Sequence, residues 1–224
     1  MLAAVVGIGG VLLNQSGLAQ SAVDYRLLGL QYREAGQLSA SIAAFRKAVE
    51  IDPSHPDGRV SLGWTLHLAG DDRAAADVLQ ETVLIDPFHV PTLNALGIVY
   101  LMNEDLPGAV LTHTWAAWLK PDNEIAYYNL SLAFQRSEHY DWAITNAEEA
   151  IACEPSNPHP RVALSIAYWA QGNQDKARQA YQEAIDLDAR YADSTFLDYL
   201  NESGFNPQQI ATSKQVLANL SQSL

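Results

Sequence analysis

The residues able to do chemistry are few and scattered. The six histidines are His55, His67, His89, His113, His139 and His159. No two of them stand at metal-ligating spacing on one helix face. There is no glycine-rich phosphate loop and no Cys-x-x-Cys pair. Asp71-Asp72 and Glu148-Glu149 are short acidic pairs, better explained as solvated helix ends than as an acid/base couple. His113 falls at an apolar packing position and is expected to be a core histidine with a backbone partner. His55 and His89 recur in equivalent turns, expected to face solvent. Stacked helix pairs separate them by roughly 18–20 Å, too far to share an ion. The single cysteine, Cys153, excludes an internal disulfide and is expected to act as a small buried hydrophobe. Asn129-Leu130-Ser131 has the form of a glycosylation triplet, but it lies mid-helix on a packing face. No catalytic residue, metal site or cofactor is expected, and the chain reads as a non-enzyme.

The elements that carry these residues follow from an internal period. Ile51-Asp52-Pro53, Ile85-Asp86-Pro87, Leu119-Lys120-Pro121, Cys153-Glu154-Pro155 and Leu187-Asp188-Ala189 mark five stops. Each stop lies 34 residues after the one before. Proline ends a helix because it lacks the N–H and disfavours a helical residue before it. After each stop an i, i+3, i+4, i+7 face restarts, as in Leu93, Leu96, Gly97 and Tyr100. Its counterparts are Tyr25, Leu28, Gly29, Tyr32; Arg59, Leu62, Gly63, Leu66; Tyr127, Leu130, Ser131, Phe134; and Arg161, Leu164, Ser165, Tyr168. Second helices carry Ser41, Phe45, Ala48; Ala75, Leu79, Thr82; Ala109, His113, Ala116; Ala143, Ala147, Ala150; and Ala177, Tyr181, Ala184. Small residues admit close helix approach and aromatic ones fill the gap to the next pair.

A period of about 34 residues with two helices per unit resembles the tetratricopeptide repeat. The resemblance covers residues 22–191 as five units: 22–55, 56–89, 90–123, 124–157 and 158–191. Ser131 and Ser165 replace the family's glycine, His113 and Ala147 its bulky residue, and Ala189 its proline. The resemblance implies an all-α, right-handed solenoid. Helices are expected near 22–35, 38–51, 56–69, 72–85, 90–102, 106–119, 124–137, 140–153, 158–171 and 174–187, with two more at the C-terminus. Gly36, Gly70 and Gly172 are expected to close first helices in the left-handed region.

Residues 192–224 leave the pattern. A helix with Phe196, Leu197 and Leu200 is expected to end near Gly204. The next begins at Asn206-Pro207-Gln208-Gln209, with Asn206 and Gln209 as a capping box and Phe205 and Ile210 as a hydrophobic staple. A C-terminal cap is what a solenoid needs to close its last apolar face. At the other end, residues 1–21 read as a signal peptide or an N-terminal membrane anchor. The uncharged run Met1–Leu13 is too short to span a bilayer, which takes about 20 residues. It fits a secretory apolar region, and Gly17-Leu18-Ala19 offers cleavage before Gln20. A basic start is missing. Export to an extracytoplasmic compartment is therefore expected, with anchoring by residues 2–13 as the rival.

Composition narrows the partners. The chain has 224 residues, is 48% hydrophobic, and carries a formal net charge of −13 with only 13 Lys+Arg. Nucleic acid and anionic membrane both demand clustered cations, so neither is the expected partner. The resemblance places the residue after the Gly/Ser position in the concave groove: Leu30, Trp64, Ile98, Leu132 and Ile166. Residues four before and three after share that stripe. They add Arg26, Val60, Asn94, Tyr128, Arg33, His67, Leu101 and Trp169, with Met102 and Arg136 beside them. So apolar a stripe argues for holding an apolar partner segment. The family's carboxylate clamp is not implied, because Val60, Trp64 and Ile98 stand where it needs polar groups. The leading expectation is a scaffold, adaptor or chaperone-like assembly factor. The alternative is an accessory subunit of an exported enzyme or envelope complex whose groove its own C-terminus fills.

Overall fold

The computed structural model describes residues 21–221, so the expected leader, 1–21, lies outside the described residues but for Ser21. Ten α-helices form five antiparallel pairs. They are α1 (Ala22–Glu34), α2 (Leu38–Ile51), α3 (Pro56–Leu68), α4 (Asp72–Ile85), α5 (Val90–Met102), α6 (Leu106–Leu119), α7 (Glu124–Arg136), α8 (Tyr140–Cys153), α9 (His159–Ala170) and α10 (Gln174–Leu187). Two 3-10 turns, Ala189–Ala192 and Phe196–Ser203, lead into α11 (Pro207–Ser221). No strand occurs among the described residues. The expected terminal helix over Phe196–Leu200 is thus a tighter 3-10 segment, ended by Gly204 at φ 87°.

Local chemistry sets the boundaries. Asp71, Asp105, Asn123 and Asn173 cap α4, α6, α7 and α10, each accepting from a backbone N–H three residues on. Each first helix closes through one left-handed residue. Gly36, Gly70 and Gly172 fill that place in units one, two and five at φ 72°, 80° and 88°. Glu104 and Glu138 fill it in units three and four at φ 60° and 63°. That conformation strains a residue with a β-carbon.

Each pair packs its second helix on the small residue of the first. Phe45 covers Gly29, Leu79 covers Gly63 and His113 covers Gly97, all too tightly to admit a β-carbon. Leu62, Leu96, Leu130 and Leu164 are buried as the register requires. Leu28 is only half-buried, because α1 has described neighbours on one side alone. Successive first helices touch one another, whereas second helices of neighbouring units make no comparable contact. The first helices therefore line the inner side of the curve.

Several chemically capable residues sit differently from expectation. Cys153 is partly exposed rather than buried, since it ends α8. Its thiol pKa is pushed up by burial and by Glu149, Asp122 and Glu124. His55 and His89 are half-buried rather than solvent-facing. His89 meets Thr92 Oγ1 at 2.7 Å and Asp57 at 3.1 Å, which ties unit two to unit three. His113 is fully buried, yet neither ring nitrogen has a hydrogen-bonding partner, so the expected backbone partner is not made. The Gly97 carbonyl lies near enough to offset burial only in part.

Candidate protein-binding groove

The inner stripe divides at unit three. On its N-terminal side Arg26, Leu30, Arg33, Val60, Trp64, Ile98 and Met102 are all partly exposed. The Arg33 guanidinium lies 5.9 Å from the Phe45 ring centre, a cation–π contact. Two polar stripe residues are engaged internally. His67 Nδ1 meets Asp72 Oδ1 at 2.5 Å, with its ring 5.2 Å from that of Trp64. Asn94 exchanges amide hydrogen bonds with Asn123 at 3.2 and 3.0 Å.

On the C-terminal side Leu101, Leu132 and Ile166 are wholly buried and Tyr128 nearly so. The chain's own residues 203–210 lie across them. A β-carbon on Gly204 would sit 3.5 Å from Leu132 and 4.0 Å from Leu101. The Tyr128 hydroxyl donates to the Ser203 carbonyl at 2.5 Å, and its ring is 6.2 Å from Phe205. Burial raises the Tyr128 pKa well above its ordinary value, which keeps the phenol a donor.

Arg136 fastens this cover. Its guanidinium donates to the carbonyls of Leu101 (2.7 Å) and Gly204, and to Gln209 Oε1 (3.0 Å). It also pairs with Glu104 at 3.3 Å. Burial draws its pKa down while Glu104 opposes the shift. Arg136, set beside the stripe from the sequence, is thus engaged with the chain's own C-terminal turn and with the end of α5. Gln209 completes the junction. It closes the capping box with Asn206 at 3.1 and 2.9 Å, then donates to Leu132 O and Gln135. Trp169, a residue of the stripe, lines one cleft with Gln209 and Thr212.

His159 supports the cover from unit five. Its Nδ1 faces Asn157 Oδ1 at 2.9 Å and its Nε2 faces Ser203 Oγ at 3.0 Å. Asn157 Oδ1 can only accept, so Nδ1 carries the proton and Nε2 accepts from the serine. Burial lowers the His159 pKa, opposed by Asp188.

The outcome is a half-length groove over units one to three, apolar along Leu30, Val60, Trp64 and Ile98, with two arginines at its N-terminal end. From the sequence a C-terminus lying in the groove was only the alternative, because 192–206 belongs to no repeat and has no register against the stripe. The signal that could have shown it is Gly204-Phe205 directly before the cap of α11. Among the described residues no cluster of three or more metal-ligating side chains is present. No helix among them is long and apolar enough to cross a membrane.

Comparison with known proteins gives a consistent result. Two repeat profiles match, one described as TPR repeat over residues 29–70 and one as Tetratricopeptide repeat over 121–192. Small glutamine-rich tetratricopeptide repeat-containing protein 2 of Saccharomyces cerevisiae is 33% identical over 96 residues, which is 43% of this chain and 28% of that protein. The BBSome complex member BBS4 of Bos taurus is 23% identical over 209 residues, covering 78% of this chain and 40% of that one. A crystal structure of MamA superposes with TM-score 0.66 at 24% identity, over 76% of this chain and 93% of that one. The chain spans well under half the length of the curated relatives it matches.

Proposed function

We propose, from the premise that this chain belongs to the tetratricopeptide-repeat family, that it is a non-enzymatic protein-binding scaffold. It holds an apolar segment of a partner protein in the open half of its inner groove. The observation that carries this reading is the split stripe. Leu30, Trp64 and Ile98 stay partly exposed while their counterparts Leu132 and Ile166 are covered. An apolar face left accessible has a solubility cost unless something occupies it. Trp64 is the anchor, since large rigid aromatics carry much of the energy at such sites. Arg26 and Arg33 orient acidic residues flanking the segment. The bovine relative's name places it in a multiprotein complex, which supports an assembly role for similar repeats.

The second reading, an accessory subunit with a self-occupied groove, has its own observation in the cover by residues 203–210. The two readings divide the groove between them. Export remains part of the proposal on the strength of residues 1–21. A new N-terminus near Gln20 in protein from the native host would support it, and an intact Met1 in the soluble cytoplasm would refute it.

The test is capture of partners from native extract by the wild-type chain and by Trp64→Glu and Ile98→Glu. Each substitution is expected to abolish capture while helical circular dichroism and Tm stay unchanged. Unfolding by both variants would make the stripe core and remove the reading.

A further inference from the structure

The outer side of the solenoid carries an apolar surface that the groove does not explain. Among the ten paired helices' outer members, α6 is alone in having no charged residue from Leu106 to Leu119. Its neighbours α4 and α8 carry Asp72, Arg73, Asp77 and Glu81, and Asp141, Glu148 and Glu149. Leu111, Trp115 and Trp118 stand at i, i+4 and i+7 on α6, so they form one stripe. Leu111 is 70% and Trp118 73% exposed.

This stripe is a ridge between two clefts. The cleft toward α4 is about 440 Å³, floored by Leu93, Leu96 and Tyr100, with Leu84 (85% exposed) on its far lip. The cleft toward α8 is about 540 Å³ and runs to Phe134. Trp142 meets Phe134 edge-on at 5.1 Å and is itself 62% exposed. Leu111 lines both clefts and is the crest of the ridge. The one charged residue lining either is Asp105, which is held by the backbone N–H of Gly108.

We propose that this face is a two-fold homodimer interface, in which the α6 ridge of each copy seats in the α4/α6 cleft of the other. Shape is the first argument. A ridge beside a cleft of the same surface is self-complementary under a two-fold axis, and helices pack ridge into groove. Charge is the second. Two copies each bearing −13 repel least where the surface between them is uncharged. A basic foreign partner would instead seek the acidic faces. Area is the third. A stable interface needs about 800 Å² from each partner. One tryptophan offers roughly 150–250 Å² when buried. Trp118, Trp142, Leu84 and Leu111, exposed to the extent given above, reach that range together with the helix surface between them.

The test is sedimentation equilibrium of the full chain at tens of micromolar. A dimer mass is expected for the wild type, weakening as salt is lowered because the remaining acidic surface then repels further. Leu111→Glu with Trp118→Glu should raise the dissociation constant at least tenfold with circular dichroism and Tm retained. Should that pair unfold, Leu111→Gln with Trp118→Gln supplies the same comparison with a milder change. Trp64→Glu, in the inner groove, should leave the dimer intact. A monomeric wild type, or a dimer indifferent to both paired substitutions, would overturn the proposal. So would a monomer whose tryptophan emission shifts on phosphatidylcholine vesicles, which would assign the face to lipid.

Discussion

The His113 ring lies against the bare backbone of Gly97, so closely that a β-carbon built on that glycine would stand 2.5 Å from Nε2. The same place is taken by Leu79 over Gly63 and by Phe45 over Gly29. An apolar slot has thus been filled by an imidazole, and its nitrogens have no partner in it. Only the neutral ring is tolerable there, and burial lowers its pKa from 6.5 to about 3.

Stability should therefore depend on pH through this residue. An unfolded histidine takes up its proton near pH 6.5 and the buried one only near pH 3. Between these values the unfolded chain binds more protons, so stability is fully present above 6.5 and falls as pH drops. The slope contributed by one such group approaches about 1.4 kcal/mol per pH unit. His159, also lowered by burial, adds to it with the same sign. His113→Leu, copying unit two, should flatten the slope and raise the urea midpoint at pH 5. Equal slopes for the two proteins between pH 7 and pH 5 would contradict the assignment.

Glu138 occupies the left-handed position that glycine fills in units one, two and five. Its side chain is exposed, so its removal leaves no buried gap. Glu138→Gly should stabilise the fold by up to about 1 kcal/mol, the strain relieved being partly offset by a more flexible unfolded chain. Thermal unfolding with Glu138→Ala as control separates the backbone effect from the loss of charge.

Arg136→Ala should release the C-terminal cover. It leaves the Leu101 and Gly204 carbonyls and Gln209 without their shared donor. A loss of about 2–3 kcal/mol is expected, as for buried polar groups deprived of partners. Limited proteolysis should then cut within 192–206 faster than in the wild type, before the repeats are attacked. Uniform cleavage along the chain would instead mean that the cover and the repeats unfold as one.

Two equivalent leucines give a packing test. Leu96 is buried and Leu28 half-buried. Leu96→Ala should cost about 2–5 kcal/mol, and Leu28→Ala clearly less. Denaturant unfolding of both variants checks the order, and a reversed order would overturn the packing register.

What could be read from the chain, and what could not, follows from repetition. The Pro stops and the Leu-Gly or Leu-Ser pairs of the first helices occur in register, so each unit vouches for its neighbours, and the helix boundaries needed no tertiary knowledge. The cap of α11 was legible too, because Asn206 and Gln209 form a local box. The closed half of the groove was not, since nothing near Leu132 or Ile166 differs from Ile98. Their burial is decided by Arg136 reaching Gly204, 68 residues away. The partner of the open half was illegible for a related reason: Trp64 and Ile98 report that a face is apolar, not what meets it. The 34-residue period puts Glu104 and Glu138 at the place of Gly36, Gly70 and Gly172, but their residue type gives no sign of a glycine conformation, which the helix geometry imposes regardless of residue.

The C-terminal cover changes how the molecule comes apart. A bare repeat array is a one-dimensional chain in which each unit leans only on the next, so opening can begin anywhere. Here residues 203–209 tie the end of α5, all of α7 and the start of α9 into one knot. Units four and five must open together with the end of unit three, whereas units one and two, whose apolar cluster runs on only into Ala95, Leu96 and Val99 of α5, can fray first. Amide exchange should accordingly fall into two blocks with a step near Leu101 rather than a gradient along the array.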